Sequence, residues 1–160
     1  MRLALAIFAV LAIAVPATQA AAPPAETFSI EDARGVVTMR GSGIVIGRLE
    51  RGEIQVVDLT PLDQWSPRVN GVPRGKTVWL RGKDVNFYVP GGRYKITVRG
   101  EGFSISARGQ GSAVLDGNPD LNGATGTYAV GDLEPVPVPV GAEKVVFGAQ
   151  LTPKAVKAGS

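Results

Sequence analysis

The sequence predicts an all-β fold, a single antiparallel β-sandwich or open barrel of about eight or nine short strands, preceded by a cleaved signal peptide. Three observations carry this reading. Glycine occurs 21 times and proline 12 times in 160 residues, more turn formers than a helical chain of this length tolerates. Short runs rich in β-branched residues recur, with turn signals roughly every 8–12 residues. The stretch Asp84 to Arg108, DVNFYVPGGRYKITVRGEGFSISAR, can be closed on paper as a three-stranded meander.

In that meander, a turn at Pro90-Gly91-Gly92-Arg93 pairs Val89 with Tyr94, Phe87 with Ile96 and Val85 with Val98. A second, with Gly100-Glu101 as a type II′ loop, pairs Val98 with Phe103, Ile96 with Ile105 and Tyr94 with Ala107. Nine apolar side chains then share one face, since side chains alternate with period two. The other face carries Asn86, Tyr88, Lys95, Thr97, Arg99, Ser104, Ser106 and Arg108, and is polar and basic.

The N-terminus, residues 1–20, has Arg2, an apolar run from Leu3 to Val15, the breaker Pro16 and small residues up to Ala20. Such a run is short for a bilayer core of roughly 30 Å, so it is expected to be a removed signal peptide that leaves no transmembrane segment in the mature chain. Residues 21–27 form an extended leader, residues 28–151 the β-domain and residues 152–160 a disordered tail. Within the domain, FSIEDARGVVTMRGSGIVIGRL is expected to close at Gly41-Ser42, pairing Met39 with Ile44 and Val37 with Ile46. The glycines of Gly41-Ser-Gly43-Ile-Val-Ile-Gly47 superficially match a dinucleotide fingerprint, but no helix follows to meet a pyrophosphate.

Strands are expected at Glu53–Leu59, Lys76–Arg81, Gly111–Asp116, Gly126–Val130 and Val145–Leu151. The long loop between the first two contains Trp65, expected to plug one end of the core. The segment Glu134–Gly141 places a proline at every second position, which removes alternate amides and confines it to a sheet edge. There is also a weak repeat. Thr38-x-Arg40-Gly41-x-Gly43-x-x-Ile46 recurs as Thr97-x-Arg99-Gly100-x-Gly102-x-x-Ile105, and Phe28-Ser-Ile ahead of Ala33-Arg-Gly recurs as Phe103-Ser-Ile ahead of Ala107-Arg-Gly. Two copies suggest a duplicated hairpin or a reused turn, not a solenoid.

An apolar fraction of 44% with 19% charged residues is globular, and one domain suits the length. The net charge of +3 is unevenly spread: Arg34 to Arg108 holds thirteen Lys/Arg against six Asp/Glu, while both flanks are acidic. The chain has neither His nor Cys, which excludes a Ser-His-Asp triad, thiol chemistry, disulfides and the usual zinc or copper sites. What remains is a carboxylate pair or a Ser–Lys dyad, and nothing in the sequence places two carboxylates together.

Two patterns suggest binding. Asp116-x-Asn118-x-Asp120-x-Asn122-Gly123 puts oxygen-bearing side chains at alternate loop positions, as calcium ligation requires, but Leu121 stands where the turn glycine of an EF-hand belongs and Thr127 where its bidentate Glu belongs. The alternative is a plain Asx-rich loop. The basic face, with Tyr88, Lys95, Thr97, Arg99, Arg108 and the loop residue Trp65, suits an anionic polysaccharide or envelope polymer; the alternative is the solvated side of a half-buried sheet. The expected function is therefore an exported, non-catalytic binding or structural module of the periplasm, cell envelope or extracellular space. It needs no cofactor, with calcium as the one candidate; its partner is an anionic polymer or another envelope protein, with no specific nucleic-acid binding. Two alternatives are a carboxylate-based hydrolase acting on polysaccharide and a calcium-stabilised adhesion-type module.

Overall fold

A computed structural model describes residues 26–148 apart from Arg74. The expected signal peptide, most of the leader and the tail lie outside the described residues. Those that are described form an all-β fold without helix: β1 (Glu26–Asp58), β2 (Arg68–Val69), β3 (Val72–Pro73), β4 (Thr77–Val89), β5 (Arg93–Gly117), β6 (Thr127–Val130), β7 (Val136–Pro137) and β8 (Glu143–Phe147). They make one antiparallel sheet in the order β3-β2-β4-β1-β5-β8, with β6 on another edge of β1 and β7 paired to β6.

Two strands dominate, and they pair with each other twice. Along one edge the ladder runs from Gly35 opposite Gly117 to Asp58 opposite Tyr94; along the other, from Glu26 opposite Gly109 to Ser42 opposite Arg93. Val37 therefore touches both Val98 and Leu115, seventeen residues apart on one continuous strand. A straight strand would separate those two residues by about 55 Å. The β1–β5 ribbon must therefore coil until its free edges meet.

This coiling corrects the expected hairpins. Val85, Phe87 and Val89 pair with β1 at Leu49, Gly47 and Val45, and β1 lies between β4 and β5. Ile105 pairs with Gly47 and Ile30 instead of Ile96, and Met39 pairs with Ile96 and Ala113 instead of Ile44. The glycines read as reversals are bends within long strands: Gly43 has φ +126°, Gly100 +157° and Gly102 +63°. A period-two pattern states which side chains share a face, and it passes through a bend as readily as around a turn. Ile44 and Ile46, expected beside the buried Met39 and Val37, are exposed, but the apolar face expected of the meander is as read. Val85, Phe87, Val89, Tyr94, Ile96, Val98, Phe103, Ile105 and Ala107 are all buried, in one core with Phe28, Ile30, Met39, Leu49, Ile54 and Leu115.

The weak repeat also acquires a structural meaning. Thr38 lies directly opposite Thr97, Phe28 opposite Ala107, and Ala33 opposite Phe103. In each repeat the two copies are related antiparallel across the second β1–β5 ladder, the first about the Thr38–Thr97 pair and the second about the Ile30–Ile105 pair.

The loop after β1 is a covered edge. β2 and β3 form a tight hairpin around Asn70-Gly71, whose φ values of +49° and +76° suit a type I′ turn. The hairpin pairs with β4 at Phe87 and Tyr88. Trp65, expected as a core plug, is 45% exposed. The proline-rich segment contributes β7, which pairs with β6, and buries Val138.

Candidate functional site

Seven Arg-Gly dipeptides are scattered through the sequence, among them Arg34-Gly35, Arg51-Gly52, Arg81-Gly82 and Arg99-Gly100. The fold aligns these four. Gly117, Gly35, Gly100, Gly52 and Gly82 are successive ladder partners, forming a row of glycines across five neighbouring strand passes. The row exists because the ribbon bends there: a Cβ on Gly35, Gly52 or Gly100 would overlap the carbonyl oxygen of Asp116, Arg99 or Arg51 respectively. With no side chains along the row, the surface drops to a trough.

Charged residues line both banks. On one, Arg81 opposes Glu53, Glu53 opposes Arg99, Arg99 opposes Val36 and Val36 opposes Asp116. On the other, Lys83 opposes Arg51 and Arg51 opposes Glu101, whose carboxylate also binds Arg34. The sign thus alternates on the first bank, while the second sets two cations, Lys83 and Arg51, beside Glu101. Glu101 accepts a hydrogen bond from Arg34 and forms an ion pair with Arg51 at 3.2 Å, while Glu53 pairs with Arg99 at 3.4 Å. Arg51 and Arg99 remain mostly exposed, so each pair contributes about 1 kcal/mol or less. Among the described residues, Arg81 has no carboxylate within ion-pair range. The trough encloses about 650 Å³, lined by four arginines against Glu53, Glu101 and Asp116.

Of the basic-face residues singled out from sequence, only Arg99 lines this trough, joined there by Asp116 and Asn118 of the calcium candidate. Lys95 and Thr97 precede it at outward positions of β5. Thr97 lies in a cross-strand row with Trp79, Gln55 and Thr38, and Trp79 is 64% exposed. Arg108 lies beyond the Gly100–Gly102 bend, opposite Ile44, and Tyr88 lies opposite Ile46. The bend therefore divides the expected basic face in two. Tyr88 and Trp65 line a separate cleft. Arg34, Arg51 and Arg81 were missed; the signal that could have found them is the recurring Arg-Gly dipeptide.

Within the calcium candidate, Asp116 lies on β5 and Asp120 orders the turn that follows. Asp120 Oδ1 accepts from the amides of Asn122 at 2.8 Å and Ala124 at 2.9 Å, and these bonds hold its carboxyl below its ordinary range. Among the described residues, no three acidic side chains stand close enough to hold a metal ion. Asp32, Glu50, Glu101 and Asp120 do share a small recess with Arg34. The downward shift of Asp120 is opposite to what a general acid requires. No protein-family model, curated protein or solved structure matches the chain.

Proposed function

We propose that this chain is an exported, non-catalytic binding domain of the cell envelope or extracellular space, which needs no cofactor and holds an anionic polymer along the arginine-lined trough and the adjoining outer face of β5. The coiling of the β1–β5 ribbon supports an open barrel as its architecture. The observation that carries the reading is the gathering of Arg34, Arg51, Arg81 and Arg99 around one side-chain-free trough. Guanidinium groups present planar forks of donors that suit carboxylate, sulfate and phosphate oxygens. A trough without side chains lets an extended chain approach the backbone. Lys95 and Thr97 continue the surface beyond Arg99 and supply a further cation and a hydroxyl.

Chromatography on immobilised heparin, used as a generic polyanion, tests the proposal. The protein is expected to be retained and to elute at a salt concentration that falls clearly in Arg81→Ala/Arg99→Ala. The reading fails if the double variant, still folded by circular dichroism, elutes with the unaltered protein.

A further inference from the structure

We propose that the cleft between Trp65 and Tyr88 is a second, independent site, one that takes a neutral pyranose unit of a glycan. The argument begins with the loop that follows β1, which is fixed by a chain of side-chain bonds. Asp58 accepts from the Thr60 amide at 2.8 Å, and the Thr60 hydroxyl donates to Asp63 at 2.8 Å and accepts from the Arg93 amide at 3.0 Å. The other oxygen of Asp63 accepts from the Trp65 amide at 2.9 Å. Backbone bonds from Leu59 to Arg93 and from Asp63 to Thr60 complete the frame.

A large aromatic side chain is thus presented, half-exposed, on an anchored loop instead of being folded into the core. Gly91 packs beside it, where a Cβ would lie in ordinary contact, 3.5 Å from the indole ring. Opposite stand Tyr88 and Pro90, and the cleft of about 310 Å³ is completed by Gln64, Ser66 and Arg68. That volume is at the small end of ligand sites.

The lining decides the ligand class. Apolar C–H faces of a sugar ring stack on an aromatic surface while the ring hydroxyls need donors and acceptors at its rim. Here two aromatic rings come with an amide, a hydroxyl and a guanidinium, which can together donate to and accept from several hydroxyls. A proline-rich peptide would use the aromatic rings but leave most of those polar groups unengaged. Ordering a rigid loop in advance also lowers the entropic cost of binding a small unit.

Affinity electrophoresis tests this, with native gels containing mannan, xylan, β-glucan or glycol chitin. Migration is expected to slow in at least one gel. Trp65→Ala is expected to weaken the interaction about tenfold or more, as for a central aromatic anchor. Trp65→Phe keeps a stacking surface and should restore part of it, whereas Arg81→Ala, in the trough, should leave it unchanged. A parallel titration with a proline-rich decapeptide, followed by tryptophan fluorescence, covers the other ligand class. Unretarded migration in all four gels, retardation that survives Trp65→Ala, or binding of the peptide alone would each overturn the proposal.

Discussion

Gly52 and Gly100 face each other where the two long strands bend, so closely that a Cβ on Gly100 would stand 2.9 Å from the Cα of Gly52. Both have positive φ, +147° and +157°. Every side chain is therefore doubly excluded, by backbone conformation and by the facing strand.

From this contact follows the first prediction. Gly52→Ala and Gly100→Ala should each destabilise the fold by about 3 kcal/mol or more, since the neighbouring atoms are backbone and cannot rotate away. Gly71→Ala and Gly123→Ala, at φ +76° and +82° with no atom within 4 Å, should cost only about 1 kcal/mol each. Urea denaturation of the four variants measures the difference. Equal losses at all four positions would show that the strand contact contributes nothing.

The same glycines explain what could be read from sequence and what could not. Period-two alternation identified the buried set from Val85 to Ala107 correctly, because burial depends only on which side of the strand a residue occupies. Pairing was misread, because Gly41, Gly43, Gly100 and Gly102 carry the same composition whether they reverse a strand or bend it. Choosing between the two requires knowing that β1 inserts between β4 and β5, a contact between residues far apart in the chain. The binding surface shows the same division. Lys95, Thr97 and Arg99 share a strand and could be grouped from their spacing. Arg34, Arg51 and Arg81 join Arg99 only through the register of three separate passes.

A second prediction concerns Tyr94, whose ring lies in the core with its hydroxyl next to Gly41. Among the described residues no group hydrogen-bonds to that hydroxyl, and burial pushes the phenol up to about 12. Tyr94→Phe should therefore be neutral or stabilising by about 1 kcal/mol at pH 7. The folded value lies above the ordinary 10, so the unfolded chain releases its proton first. Stability is thus unaffected below about pH 10 and falls as pH rises toward 12, by an amount on the order of 2–3 kcal/mol. Tyr94→Phe should remove that part of the alkaline loss. Parallel melts at pH 7 and pH 11 would refute this if the two proteins lost stability equally.

Asp120 supplies a third. One of its oxygens already serves two amides, so the loop is ordered by its own bonds. Going from chelator to millimolar calcium should leave the melting temperature unchanged, while Asp120→Ala should lower it slightly and Asp120→Asn less, because the amide keeps an acceptor. A calcium-dependent rise in melting temperature, abolished in Asp120→Ala, would instead identify a ligand-binding loop.

The last prediction uses the carboxylate within the trough. Glu101 is held by Arg34 and Arg51 together, so it occupies a position that an anionic group of a bound polymer would take. Its side chain and those of its partners are about one-third exposed or more, so Glu101→Gln should cost less than about 1 kcal/mol of stability. Its effect on binding should be larger and of opposite sign. The amide oxygen can still accept from Arg34, yet the competing negative charge is gone and two guanidinium groups become available to ligand. Elution from heparin should therefore move to higher salt in Glu101→Gln and to lower salt in Arg34→Gln/Arg51→Gln. Adding the Glu101 change to that double variant should then recover far less retention than it adds to the unaltered protein, because the carboxylate acts through the arginines it neutralises. An equal gain in both backgrounds would mean that Glu101 repels the polyanion by net charge alone, and would remove the trough from the binding surface.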